Sequence, residues 1–173
     1  VAGDLSDCGF GGFAEYVAVP DRALVRKPKP VAFEAAAALP VAAGTALQAL
    51  RDKCGIQPGK DVLVVGAGGG VGLYSVQLAK HFRASVTAVC GAHNVETTLA
   101  LGADRAMDYA KEDFGEESAR YDLVLAVNGP YPFSTYKRAL RPGGVCVVIG
   151  GALRQILKAV LLGSLMSRDG RRI

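Results

Sequence analysis

The residues with the clearest chemical potential lie between Gly66 and Gly72, where five glycines fall within seven positions in the order Gly-Ala-Gly-Gly-Gly-Val-Gly. An apolar run at residues 62–65 leads into them, and a helical pattern through Leu73, Val76, Leu78 and Ala79 follows at once. Strand, glycine-rich turn and helix in that order offer the positive end of a helix to an anion. The anion that suits them is the diphosphate of a dinucleotide. The usual spacing is G-x-G-x-x-G. Here Ala67 takes the first glycine's place and Gly66 precedes it. The roles are still filled: Gly66 and Gly68 permit the tight turn, Gly69 keeps side-chain atoms away from the diphosphate, and Gly72 lets the helix sit close to the sheet. Gly70 and Val71 complete the candidate binding loop. A turn with a purely structural job is the alternative.

Other candidate contacts follow from where a dinucleotide would run. The apolar run at residues 85–90 is followed by Cys90-Gly91-Ala92-His93-Asn94. A site for an unphosphorylated ribose places a carboxylate there to accept from both hydroxyls, and none occurs until Glu96, in the next helical pattern. Small residues leave space for a 2′-phosphate, and Gly91, His93 and Asn94 are its candidate contacts, the two side chains as donors. His93 reads equally well as an exposed loop residue. The preferred cofactor is therefore NADP(H) over NAD(H). Asn128-Gly129 and Ile149-Gly150-Gly151 end two further apolar runs, so the backbones of Asn128, Gly129 and Gly150 are candidate contacts on the same sheet edge.

The elements that must position these residues alternate. Strands are expected at residues 62–65, 85–90, 106–109, 123–127 and 145–149, and helices at 71–82, 95–101 and 131–140. Asn94 could cap the second of those helices, Gly102 could end it, and Pro142-Gly143-Gly144 ends the third. That order predicts an α/β fold, a doubly wound parallel sheet of the Rossmann type. Upstream, strands are expected at 13–19 and 23–25, then a break at Lys27-Pro-Lys-Pro30. A helix at 34–39 should stop at Pro40, and a longer one should run over 42–53 to Gly55.

Composition bounds the rest. The chain has 173 residues, half of them hydrophobic and 21% charged, which is enough apolar material for one buried core and argues against disorder. Residues 1–150 hold 15 basic and 15 acidic side chains, so the net charge of +4 comes from a basic tail. Nucleic-acid binding wants a basic face on the fold itself and is a poor fit. Cys8, Cys54, Cys90 and Cys146 are 36 to 56 residues apart, without metal-ligand spacing, which suits reduced thiols in a cytoplasmic protein. Leu153, Ile156, Leu157, Val160, Leu161 and Leu165 form an apolar helical stripe interrupted by Arg154 and Lys158. It is too short and polar to span a bilayer. It would cover the sheet, form a contact in a homo-oligomer, or lie on a membrane surface.

Several short segments then occur in a telling order: Gly11-Gly-Phe-Ala-Glu-Tyr16, Glu34-Ala-Ala-Ala-Ala-Leu-Pro40, Gly44-Thr-Ala46, the Gly66 to Gly72 loop, Leu101-Gly-Ala-Asp104, Asp108-Tyr109, Tyr121-Asp122 and Arg141-Pro-Gly-Gly144. Together they resemble the medium-chain dehydrogenase/reductase superfamily, in its zinc-independent, quinone-oxidoreductase-like branch. The resemblance implies that residues 1–31 are the C-terminal remnant of a GroES-like substrate domain. It makes residues 32–173 a dinucleotide-binding domain short of its last strand. It implies NAD(P)H-dependent hydride transfer to a quinone, enone or similar carbonyl compound, a small-molecule substrate. It puts Thr45 near the nicotinamide, positioning ring or substrate, although a helix-interior threonine bonded to a backbone carbonyl explains it as well. It puts Tyr109 at the 2′-phosphate. Zinc-dependent relatives have a metal-ligating Cys or Asp where this chain has Pro40, so no catalytic zinc is expected. Three rivals stand beside this reading: a methyltransferase-like domain, which would want an acidic residue where Cys90-Gly91 stands; a non-catalytic nucleotide-binding or redox-sensing module, or truncated reductase, derived from such an enzyme; and a zinc alcohol dehydrogenase, which Pro40 disfavours.

Overall fold

The structure, a computed structural model, describes residues 15–129, 131–150 and 171–172. The backbone divides into two compact units, Val1–Gly44 and Thr45–Ile173. The division falls inside helix α1 (Phe33–Leu47).

In the first unit neither upstream strand forms among the described residues. Glu15 to Val19 carries no strand, and Tyr16 is 91% exposed. Residues 23–25, where a second strand was expected, form none: Ala23 ends a single 3-10 turn, Asp21–Ala23, and residues 24–25 are irregular. Strands exist through their partners' hydrogen bonds, and neither segment pairs with another described one. Helix α1 also departs from expectation, because it runs straight through Pro40. The ring removes one amide and crowds the preceding turn, but four alanines before it and two after supply strong helix-forming tendency.

The helix then widens into a π-helical segment, Gln48–Lys53. Cys54 N–H donates to Ala49 O at 2.9 Å, and Ile56 N–H to Leu50 O at 3.0 Å. Gly55, at φ 61°, closes the run, as the sequence suggested. By length and composition the 21-residue run Phe33–Lys53 could cross a bilayer. Its last turns are nonetheless built into the second unit, with Ala49 and Leu50 both in a hydrophobic core.

The second unit is a five-stranded sheet in the order β3-β2-β1-β4-β5, formed by β1 (Asp61–Val65), β2 (Ser85–Cys90), β3 (Arg105–Asp108), β4 (Tyr121–Val127) and β5 (Leu140–Ile149). Every pairing is parallel. The connections carry α2 (Gly70–His81), α3 (Val95–Ala100) and α4 (Phe133–Ala139). Because side chains alternate along a strand, β1 feeds two cores. Val62 and Val64 pack with Val76 and Ala79 of α2 on one face. Leu63 and Val65 pack with Phe114, Phe133 and Tyr136 on the other. Strands buried on both faces explain the unbroken apolar runs that made them readable.

Boundaries around α4 and β5 differ from expectation. Helix α4 is shorter than residues 131–140. Strand β5 begins at Leu140 and takes in Pro142-Gly143-Gly144, expected to be a break. A register shift against β4 between Tyr121 and Leu123, with Gly143 at φ 81°, absorbs the irregularity. Beyond β5, Arg172 pairs parallel with Val145: Cys146 N–H donates to Arg172 O at 2.8 Å and Arg172 N–H to Gly144 O at 3.0 Å. The basic apolar-striped helix and Gly151 lie outside the described residues.

Candidate functional site

Strand β1 ends in the glycine loop because the backbone there has no room for side chains. Gly66 has φ 80°, and a Cβ on it would lie 2.1 Å from Val127 O. The amides of Gly66 and Ala67 both donate to Val89 O, at 3.0 and 2.9 Å, clamping the turn to β2. Ala67 is fully buried in the core, so its methyl group is accommodated where the usual spacing has glycine. At Gly72 a Cβ would lie 2.2 Å from Gly66 O, and so α2 starts hard against the loop. Gly69 precedes α2 with extended backbone and no side-chain cap. The first turn of α2 holds no acidic residue, while Lys80 and His81 sit in its last turn, which suits the helix dipole and leaves its N-terminus fit for an anion.

A cavity of about 400 Å³ opens over this loop along the C-terminal edge of the sheet. Gly66, Gly68 and Gly69 line its middle, with Val65 and Val89. Gly91, His93, Asn94 and Tyr109 line one end; Asn128, Gly129 and Tyr131 line the other. None of the lining residues carries a carboxylate. The crevice therefore passes from the end of β2, across the loop, to the end of β4, the path a dinucleotide takes in this topology.

Nine of the sequence-selected residues come together here, and the others do not line the cavity. Gly70 and Val71 begin α2 beside it. Gly72 supports the loop from behind. Gly150 packs against Asn128, whose Oδ1 would lie 2.6 Å from a Gly150 Cβ. Thr45 is half-buried on α1 and is absent from the lining. Tyr131 was missed, although an aromatic residue just past a strand-ending Asn-Gly was visible. Val65, Val89 and Cys90 were read as core. The Cys90 thiol is pushed up by burial, partly offset by Thr98, whose Oγ1 lies 3.8 Å from Sγ.

At the β2 end, a side chain begun on Gly91 would meet Tyr109 Oη and His93 Cε1 at 3.2 Å each, and His93 Nδ1 at 3.4 Å. Tyr109 is held there by its amide, which donates to Cys90 O at 3.1 Å. At the β4 end, Asn128 adopts φ 49°, a left-handed conformation that Asn tolerates better than most residues, with its amide donating to Ile149 O at 3.0 Å. Among the described residues no three His, Cys, Asp or Glu side chains gather as metal ligands do, so they provide no cradle for zinc.

The fold and the crevice define a doubly wound α/β domain with a dinucleotide-type loop. Residues 70–170, more than half of the chain, match the family described as zinc-binding dehydrogenase. The chain belongs to this family, within the medium-chain dehydrogenase/reductase superfamily, and is quinone-oxidoreductase-like. It is 41% identical over 154 residues to the chloroplast envelope quinone oxidoreductase homolog of Arabidopsis thaliana, covering 84% of this chain and 47% of that one. It is 37% identical over 146 residues to a chloroplastic NADPH-dependent alkenal/one oxidoreductase of the same plant, covering 83% and 37%. The solved quinone oxidoreductase of Thermus thermophilus, known also in complex with NADPH, superposes with a TM-score of 0.72 at 31% identity, covering 91% of this chain and 59% of that one. The chain spans less than two thirds of the length of each of these relatives.

Proposed function

We propose that this chain binds NADPH and serves an oxidoreductase that passes hydride to a quinone, an enone or a similar carbonyl acceptor. The observation that carries the reading is the crevice itself. It runs from the glycine loop to a ribose end without a carboxylate, where Gly91, His93 and Tyr109 leave room and donors for a 2′-phosphate. The names of the relatives, quinone and alkenal/one oxidoreductases, support the acceptor class. The reduced nicotinamide supplies the hydride; the protein's part is to bind, orient and exclude water. The loop amides and the N-terminus of α2 hold the diphosphate, and the Asn128-Gly129 corner borders the nicotinamide end. A quinol anion or an enolate is a stabilised product and needs no strong protein acid, in keeping with the absence of carboxylates from the lining. Hydride transfer to such an acceptor is proposed to proceed without zinc, as Pro40 and the lack of a ligand cluster among the described residues suggest.

The test is a titration with NADPH, NADH and S-adenosylmethionine, followed by nicotinamide fluorescence and thermal shift. Quinones and enones are then offered as acceptors. NADPH should bind most tightly. Preference for S-adenosylmethionine would overturn the reading, and binding without turnover would make the chain a nucleotide-binding module. Gly69→Asp should leave a folded protein that has lost dinucleotide binding, because it sets a carboxylate against the diphosphate. Unchanged affinity would mean the diphosphate lies elsewhere.

A further inference from the structure

Asn94 occupies the N-cap position of α3 and does not cap it: its side chain accepts no bond from the helix amides. Forgoing that bond gives up the stabilisation that an N-cap Asn ordinarily contributes. The side chain turns instead across the crevice. Its Nδ2 lies 3.0 Å from His93 Nε2. The same Nδ2 would be 2.2 Å from a Cβ on Gly68, so the amide fills the side-chain space of the glycine loop. One residue therefore touches both the diphosphate loop and the ring beside the ribose end.

The orientation of that amide has a chemical consequence. With the NH2 group turned to His93 and the glycine loop, the carbonyl oxygen, which would repel a diphosphate, is kept away. An NH2 donating to Nε2 makes Nε2 the acceptor, so a neutral His93 must carry its proton on Nδ1. Nδ1 is the ring nitrogen that faces the space over Gly91, beside Tyr109 Oη.

The geometry points to Asn94 as a positioning residue. By donating to His93 Nε2 it fixes the tautomer that presents Nδ1–H to the 2′-phosphate of the cofactor, and so sets the preference for NADPH over NADH. This rests on the proposed dinucleotide reading. It changes the role expected for Asn94, which acts through His93 rather than as a second phosphate donor. It also explains how an imidazole serves where Lys and Arg are absent from the lining.

The chain has two histidines, so long-range nitrogen–proton NMR can read the tautomer of His93 directly at about pH 8, where an ordinary imidazole is neutral. The wild-type chain should show Nδ1–H, and Asn94→Ala should shift the ring toward Nε2–H. Asn94→Ala should weaken NADPH binding roughly tenfold, the worth of one hydrogen bond to a charged group, with NADH changed less than about twofold. Placed in a His93→Ala background, Asn94→Ala should cost no further NADPH affinity, an epistasis that a merely structural role would not produce. A wild-type chain that binds NADPH but carries Nε2–H overturns this inference alone, as does equal loss of both nucleotides. A chain that binds neither nucleotide overturns the functional reading and this inference together.

Discussion

Tyr136 is fully buried, and among the described residues its hydroxyl has no hydrogen-bond partner. Burial pushes its pKa up, with the Tyr131 backbone pulling the other way. The hydroxyl stands where the next residue of the crevice wall would carry a side chain, for a Cβ on Gly129 would be 2.1 Å from Tyr136 Oη. Two consequences follow with opposite signs. Tyr136→Phe removes an unpaired donor and keeps the stacked ring against Phe114, so it should stabilise the protein by about 1 kcal/mol, seen as a melting point about 3 °C higher. Gly129→Ala should cost about 2–3 kcal/mol in the wild type through overpacking and less than half of that beside Tyr136→Phe, where the nearest atom becomes the ring carbon at 3.3 Å. An equal cost in both backgrounds would show that something other than this hydroxyl excludes the side chain. The glycine at 129 was visible in the sequence, but its cause was not, since Tyr136 reads simply as one apolar face of a short helix.

What could be read ahead of the structure was the part dictated by burial. Strands β1, β2 and β4 are largely apolar because both of their faces are covered, and β2 was placed with its true ends. Elements set by local competition were harder to read. Pro40 argues for a helix end, yet the alanines around it carry the helix through. Pro142-Gly143-Gly144 argues for a loop, yet β4 offers partners on either side of the register shift. Asn94 argues for a cap, and its side chain is engaged elsewhere. Long-range polar ties were also illegible, and the N-terminal edge of the sheet is held by one. Asp122 of β4 accepts from the Asp61 amide of β1 at 2.9 Å, from Arg141 of β5 at 2.9 Å and from Lys60 at 3.2 Å. Arg141 also meets Asp61 at 2.8 Å. Asp122→Ala should therefore destabilise by about 2–3 kcal/mol, and Asp122→Asn, which keeps the acceptor, by about 1 kcal/mol. Urea midpoints measure both; a loss below about 0.5 kcal/mol for alanine would mean the tie is no stronger than an ordinary surface pair.

Across the whole molecule, carboxylates and thiols set opposite limits on stability. Burial alone would raise Asp122, but the Asp61 amide, Lys60 and Arg141 outweigh it and hold the carboxyl below its usual range. Asp104 is likewise held down, against burial, by Lys80 and the Val86 amide, and Glu117 by Tyr121, Arg105 and Arg120. Groups depressed in the folded state add stability that is complete above their unfolded values, near pH 4, and is lost as pH falls through the folded ones. The buried thiols act at the other end. Burial pushes Cys54 up to about 11, with Arg172 pulling the other way. Burial and the neighbouring Cys54 push Cys146 up to about 12. Their unfolded counterparts ionise near pH 8.5, so above that pH the unfolded chain sheds protons that the folded chain keeps, and stability falls as pH rises. The urea-unfolding free energy should thus be flat from about pH 5 to about pH 8 and decline on both sides. Replacing Cys54 and Cys146 together by alanine should flatten the alkaline limb while lowering the plateau, because the cavities cost packing at every pH. The acidic limb should be untouched by those changes and weakened by Asp122→Asn. An alkaline decline that persists unchanged without the two thiols would assign it to other groups, Tyr121 first, whose hydroxyl is pushed up to about 12 by burial and by Glu117.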